Sequence, residues 1–387
     1  MTINNKFCIL NLNYRGIELL NRINYILDVG SSSLRLLATI KHEGKPRIVA
    51  EESVLYDGYI DGEFLSPDSL SDDLSTLIVN MATKMKKSIT SIIVGVPSDF
   101  CVCICKRISR KYVGVKKLTE NDLKNLYQSN ANFGSSDDYL VISYSPMQCV
   151  LDDNVKTMMP IRKKTSSLTL DASYILVKKY FVNLMQEKLK TININIVDFL
   201  PTVLGQAMNC EPIKDDKKPI AIVDVGHITT SVCVYKGEGL ALLSSFAMGG
   251  GHVSSDLMQV LNLSFKNAEL IKRKVILTIE NNKNEYYEVC SKGNLIKAPI
   301  NLTNQVVKSR IEMIAKVIAD ILTVDDVFKD IDIYLTGDGI ANYKGVKNII
   351  KDATGMDVYD YKIPFNNSKD KFQTSKTGLV TLAYTMI

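Results

Sequence analysis

Two stretches nearly two hundred residues apart carry one pattern of apolar and polar positions. Tyr25–Leu37 reads YILDVGSSSLRLL and Ile220–Tyr235 reads IAIVDVGHITTSVCVY. In each, an apolar run ends in Asp-Val-Gly, passes through small or hydroxyl residues and leaves as a second apolar run. Such runs bounded by a glycine turn predict buried strands joined as a hairpin. Around them, residues 25–56 read as strands, with a turn at 44–46. Ser66-Pro67-Asp68 opens a helix over about 67–86. The run SIIVGVP at 91–97 is a buried strand ended by Pro97.

A strand at 101–108, a helix at 119–131 opened by Thr119-Glu120-Asn121-Asp122, and strands at 139–150 and 167–178 then read as one strand-helix-strand-strand unit. Polar stretches at 109–118 and 134–138 punctuate it. A helix at 180–190, the strand INIVDF and a helix from about Pro201 to Met208 follow. The charged, twice-proline segment at 211–219 predicts a linker or hinge. Past the second hairpin come a glycine run opening a helix, a lysine-rich helix at 264–275, two weak strands at 275–290 and an amphipathic helix at 304–322. Ile311, Ile314, Ile318, Ile321 and Leu322 form the apolar stripe of that last helix. The chain then reads strand, glycine turn, helix, and finishes on the apolar helix TGLVTLAYTMI.

A chain of 387 residues predicts at least two domains. Composition is that of a globular protein. The net charge of +5 is modest, and lysines such as Lys84, Lys86, Lys87, Lys116 and Lys117 sit among carboxylates. They read as a solvated surface rather than a nucleic-acid patch. The eight cysteines form no CxxC pair. Cys101, Cys103 and Cys105 alternate along one strand face, and a metal site there is weighed below buried thiols in a reducing compartment. Neither a signal peptide nor a stretch of about twenty apolar residues is present, which predicts a cytoplasmic protein. Residues 1–24 mix apolar and polar positions. They read as a membrane-touching or partner-binding segment, or as an over-extended start left disordered, and the second reading is preferred.

The doubled hairpin has a chemical use. Glycine lets the backbone approach a polyphosphate, and turn amides with Ser or Thr hydroxyls donate to its oxygens. Asp28 and Asp224 would face each other and hold Mg²⁺, mostly through water. A third glycine turn, Gly337 to Gly339, would lie against the nucleoside.

These residues also resemble a family. ILDVGSSSLRLLA (26–38), residues 220–257, NAELIK (267–272) and IYLTGDGIANYKGVKNI (333–349) resemble, in order, nucleotide-contact segments of the actin-like ATPase superfamily. Within it the chain is most similar to the cell-division protein FtsA, whose insert has its counterpart at 100–178 and whose pattern after the first hairpin matches GYIDGEFLSPDSL (58–70). The resemblance implies an α/β, two-lobed actin-like ATPase fold with ATP and Mg²⁺ between the lobes. Lobe I would take 25–99, 179–214 and a C-terminal helix at 366–387. Lobe II would take 215–365, with a smaller subdomain at about 271–325. The nucleotide contacts implied are Gly30, Ser31, Ser32 and Ser33 in the first turn, and Gly226, Thr229 and Thr230 in the second. Gly250, Glu269 and Lys272 (near the ribose and adenine), Gly337 and Gly339 complete the set. Asp28 and Asp224 are the metal residues. The partners implied are an FtsZ-like protein or other division proteins and further copies of the chain in filaments. The location implied is the inner face of the cell membrane, which the chain would reach indirectly or through residues 1–24.

Departures from the family pattern bear on turnover. The second turn reads Asp224-Val-Gly-His-Ile-Thr-Thr-Ser, so Ile228 stands where relatives have glycine, and a β-branched residue strains at positive φ. Ser231 replaces a carboxylate, and Ser33 stands where a lysine is common. Leu200 occupies the place of a residue able to polarise water, and leucine accepts no proton. Asp338 interrupts a glycine pair. Weak ATP binding with little or no hydrolysis follows. His227 reads as a histidine packed at a turn in preference to a phosphate donor, and His252 lies near the cleft. The chain also stops short of the family's C-terminal amphipathic helix. Alternatives are a PilM-like pilus or secretion assembly protein, a working kinase or chaperone-type ATPase, and an interaction protein that takes no nucleotide.

Overall fold

The computed structural model describes residues 23–383 apart from 43–44, 134–137, 153, 211–217, 280–284, 325–327, 329–330, 363–377 and 379–380. The expected N-terminal extension (apart from 23–24) and most of both the hinge and the last helix therefore lie outside the described residues.

Strands β1 (Asn24–Val29), β2 (Ser33–His42) and β3 (Lys45–Leu55) form an antiparallel meander. A two-strand clip, β4 (Tyr59–Ile60) with β5 (Glu63–Phe64), precedes helix α1 (Leu70–Met85) and strand β6 (Ser91–Val96). Leu70, Leu74, Leu77, Ile78 and Met81 form the buried face of α1, which covers the sheet. Its first turn begins two residues later than Asp68, and Ser69 bonds back to Ser66 O rather than capping the helix.

The insert follows as β7 (Cys101–Lys117), α2 (Glu120–Ser129), β8 (Tyr139–Leu151), β9 (Lys156–Thr157) and β10 (Lys164–Lys178). Its sheet runs β7-β10-β8-β9. Thr119 caps α2 in a reciprocal box with Asp122, the signal its sequence carries. β7 runs nine residues past its expected end at 108, because residues 109–111 and, beyond a bulge, 116–117 pair with β10.

Helix α3 (Lys179–Thr191), β11 (Asn195–Pro201) and α4 (Thr202–Met208) return to the first sheet, whose order is β11-β6-β1-β2-β3. The second sheet is built from β12 (Ile220–Val225), β13 (Thr230–Lys236) and β14 (Gly239–Phe246). Then come α5 (Gly250–Val260), α6 (Phe265–Lys272), the hairpin β15 (Tyr286–Ser291) with β16 (Asn294–Pro299), and α7 (Ile300–Thr323). β17 (Asp332–Thr336), α8 (Val346–Thr354) and β18 (Val358–Asp360) close it, in the order β14-β13-β12-β17-β18. The hairpin β15–β16 sits later than the two weak strands expected at 275–290.

The two five-stranded sheets repeat one topology. In each, an antiparallel meander is extended from its first strand by two parallel strands. The central strands β1 and β12 are buried along almost their whole length, as strands covered on both faces must be. Each lobe has its own core, and a third cluster joins them. There α4 (Val203, Leu204, Ala207) packs on Ile222, Cys233, Leu240 and Tyr334 of the second sheet and on Tyr361 just after it. Leu382 and Ala383 lie on the first sheet with Ile26, Leu37 and Ile93.

Candidate functional site

β1 and β12 each end in a turn closed by the same bond: Gly30 N–H to Ser33 O at 3.0 Å, and Gly226 N–H to Thr229 O at 2.9 Å. The turns meet across the lobes, where the Ile228 N–H donates to Ser31 Oγ at 3.1 Å. Ile228 is not among the described residues with positive φ, so the strain expected of a β-branched residue there does not arise. What the substitution leaves is an amide already engaged by a hydroxyl of the opposite turn.

Behind the turns stand the two aspartates. Burial raises the Asp28 carboxyl, and its cross-strand neighbour Arg35 pulls it back. Burial lifts Asp224 further, to about 6, with the Asp28 charge adding to the rise and a hydrogen bond from Gln206 opposing it. That bond, Gln206 Nε2 to Asp224 Oδ2 at 2.5 Å, comes from α4. Two facing carboxyls held above their ordinary range are a donor set whose cost of ionisation a divalent cation would lift. On this count the residues fit a hydrated Mg²⁺, and the hydroxyls of Ser31 and Ser32 with the turn amides fit phosphate oxygens.

The glycines bring the remaining elements together. Gly250 N–H donates to Gly226 O (2.9 Å), Gly251 N–H to His227 O (2.7 Å) and Gly339 N–H to Val225 O (2.8 Å). A Cβ on Gly250 would stand 2.4 Å from Gly339 Cα, and one on Gly339 would stand 2.4 Å from Gly226 O. Gly337 takes φ +91°, where a side chain would also strike Val225 O. The start of α5, the second turn and the turn after β17 thus lie in direct backbone contact. Lys272 is buried and donates to Gly250 O (2.9 Å) and Glu269 Oε1 (2.5 Å), while the Ser254 hydroxyl holds the same oxygen. Burial alone would raise Glu269, but Lys272, Ser254 and His227 outweigh it and keep the carboxylate ionised.

Other expected residues have different tasks. Thr230 Oγ1 donates to Met248 O at 2.6 Å, which ties β13 to the glycine run, and Ser33 is buried in its own turn. His227 packs edge-on to Phe265, and burial lowers its pKa, so it is neutral. His252 Nδ1 accepts the Gly249 N–H at 3.1 Å and caps α5. Leu200 sits in the apolar cluster beneath Leu382.

Two site residues gave no sequence signal beyond being polar in apolar surroundings. Gln206 is the buried polar residue of TVLGQAM and holds Asp224. Asp99 lies in the short turn after β6. Its carboxyl accepts from the Thr229 hydroxyl of the other lobe, its Oδ2 is buried without a partner, and burial raises it to about 6. Among the described residues no group of three potential metal ligands occurs, and no helix is long and apolar enough to cross a membrane.

Comparison with known proteins gives this geometry its relatives. The family model described as cell division protein FtsA matches residues 221–375. FtsA of Streptococcus pneumoniae serotype 2 is 20% identical over 252 residues, 64% of this chain. That match spans about half of the relative's own length (54%). FtsA of Enterococcus faecalis is 20% identical over 337 residues, 84% of this chain and 75% of the relative. Among solved structures, the PilM-PilN type IV pilus biogenesis complex aligns with TM-score 0.63 and 11% identity, covering 94% of this chain and 97% of the other. MreB5 of Spiroplasma citri bound to ADP aligns with TM-score 0.52 and 12% identity, covering 94% and 95%. At these identities the structural likenesses show the fold alone, and that fold is the two-lobed actin-like one.

Proposed function

We propose that this chain, which has the actin-like fold and whose residues 221–375 match the FtsA family model, is a distant FtsA-like cell-division scaffold whose interlobe site binds Mg-ATP weakly and turns it over slowly or not at all. The observation that carries this reading is the pair of equivalent turns facing each other with Asp28 and Asp224 behind them. Mg²⁺ would be held through water by those two carboxylates and would neutralise the phosphates. Ser31, Ser32 and the Gly30 and Gly226 turns would orient the phosphates. Gly250, Gly337 and Gly339 would border the nucleoside, with Glu269 and Lys272 at the ribose and adenine. Slow turnover follows from Leu200, which lies in the core and can accept no proton.

The domain division follows the same reading, with the insert at 100–178 and the second lobe from 215. Its partners would be an FtsZ-like filament or other division proteins, and its place the cytoplasmic side of the membrane at the division site. Relatives of the same fold bind nucleotide, as the ADP-bound MreB5 does.

The test is thermal unfolding with and without Mg-ATP, because a ligand of the folded state raises Tm by mass action. A rise in the wild type that Asp224→Ala abolishes supports the reading. No rise at millimolar Mg-ATP overturns it.

A further inference from the structure

One end of the insert sheet carries an unusual protrusion. β7 is the edge strand of its sheet. Its pairing with β10 jumps from Lys111↔Ser167 to Lys116↔Thr165, so Tyr112-Val113-Gly114-Val115 bulges out opposite the single residue Ser166. At the apex Gly114 takes φ +75°, and nothing lies within reach of it. Val113 is fully exposed and Val115 is 72% exposed. Tyr112 braces the base, with Arg110 and Lys116 over its ring at 6.0 and 5.5 Å.

The flanks are cationic. Arg110 and Lys111 enter the bulge and Lys116 and Lys117 leave it, all exposed. Lys164 pairs with Lys117 across the sheet, and exposed Arg162 and Lys163 precede it. Among the described residues, the carboxylates at this end are Glu120, Asp122 and Asp152. Asp122 is bound by Lys116, and Asp152 by the amide and hydroxyl of Ser166. Lys116 and Lys117, which read along the sequence as part of a scattered, solvated surface, are therefore gathered with other cations round one apolar tip.

Cations alone would guard an edge strand against pairing with another chain. Guarding does not account for two valines thrust beyond the sheet edge into water, which works against that purpose. A protruding aliphatic tip ringed by cations suits a surface that is anionic at its face and hydrocarbon just beneath. We propose that this tip docks on an anionic lipid bilayer, with Val113 and Val115 entering the headgroup boundary and the surrounding lysines and arginines meeting lipid phosphates. A nucleic acid would meet the cations but offer nothing to the valines. The proposal uses no residue of the interlobe site and does not rest on nucleotide binding.

Each cation near an anionic leaflet adds roughly fivefold to partitioning, and each inserted valine roughly tenfold. The test is co-sedimentation of the full chain with phosphatidylcholine vesicles, with and without phosphatidylglycerol. Binding is expected to the anionic vesicles alone. It should fall at least tenfold in Val113→Asp/Val115→Asp and in Lys111→Glu/Lys117→Glu, both exposed enough to leave urea unfolding unchanged. The chain contains no tryptophan, so Val113→Trp supplies a single reporter. Its emission should shift to the blue on anionic vesicles and be quenched by brominated lipid. Absence of vesicle binding overturns the proposal. So does binding that both double variants retain, which would place the contact elsewhere in the chain. A tryptophan that stays water-exposed while the charge reversal still matters also overturns it, in favour of a soluble polyanion.

Discussion

Asp224→Asn should stabilise the protein while weakening the Mg-nucleotide binding proposed for it. The carboxyl stands at about 6 against an ordinary 3.8, driven chiefly by burial and then by Asp28. At about 1.4 kcal/mol per pKa unit, the ionised form is destabilised in the folded state by at most about 3 kcal/mol, and by about 2 once residual solvent contact is allowed. Asparagine removes the charge yet still accepts from Gln206 through Oδ1, so the local hydrogen bond survives. The sign follows from the raised folded value. Between 3.8 and about 6 the folded state holds a proton that the unfolded state has released, so stability drops as pH rises through this window. Above it the wild type bears the full cost. The gain on substitution should thus be about 2 kcal/mol near pH 8 and about half that near pH 5. Urea unfolding followed by circular dichroism at both pH values measures it. A variant that is less stable near pH 8, or one that gains equally at both, would refute the electrostatic account of this pair.

Two further substitutions probe the architecture around the site. Gly339→Ala places a methyl 2.4 Å from Gly226 O and 2.9 Å from Gly250 N, all backbone that cannot turn aside. A loss of about 2–3 kcal/mol in urea unfolding is expected, and a loss below about 0.5 would mean the glycine turns are looser than drawn. Ser173→Ala removes a hydroxyl that donates to Leu240 O (2.7 Å) and accepts from Leu240 N–H (3.1 Å) in a fully buried position. It should cost about 1–3 kcal/mol, whereas a neutral result would show that the insert does not brace the second lobe.

The doubled architecture was legible because its cause is local and repeated. An apolar strand covered on both faces, ended by Asp-Val-Gly, leaves little choice but a tight turn, and β1 and β12 end alike. The capping box of α2 and the apolar stripe of α7 were readable for the same reason. What escaped was set by distant partners. Nothing near Gln206 says that its amide will meet Asp224, and nothing near Asp99 says that Thr229 will cover it. The bulge after Lys111 depends on where β10 resumes pairing, which no local pattern encodes. Ile228 shows a different limit: the residue type was read correctly as a departure, but the consequence lies in its amide meeting Ser31 and not in its φ.

The contacts between lobes set what a ligand must do. Ile228 N–H to Ser31, Thr229 to Asp99, and Gln206 to Asp224 all cross the site, and the α4 cluster joins the sheets behind it. The insert adds a second brace, since Ser173 together with Cys103 and Cys105 grips the Leu240 carbonyl, and the Glu238 N–H reaches Pro146 O. Leu240 lies on β14, the edge of the second sheet, so the insert covers an edge that would otherwise present bare backbone. Any rotation of the lobes has to strain both braces at once. On the proposed reading, a phosphate taking the Ile228 amide would exchange a neutral hydrogen bond for a charge-assisted one, a gain of about 1 kcal/mol, and Mg²⁺ would relieve the carboxylate pair. Both gains fall on the turns and neither on Leu240. A bound nucleotide would therefore bias the lobes only by its differential affinity for two arrangements, and the insert contact would set how far that bias travels.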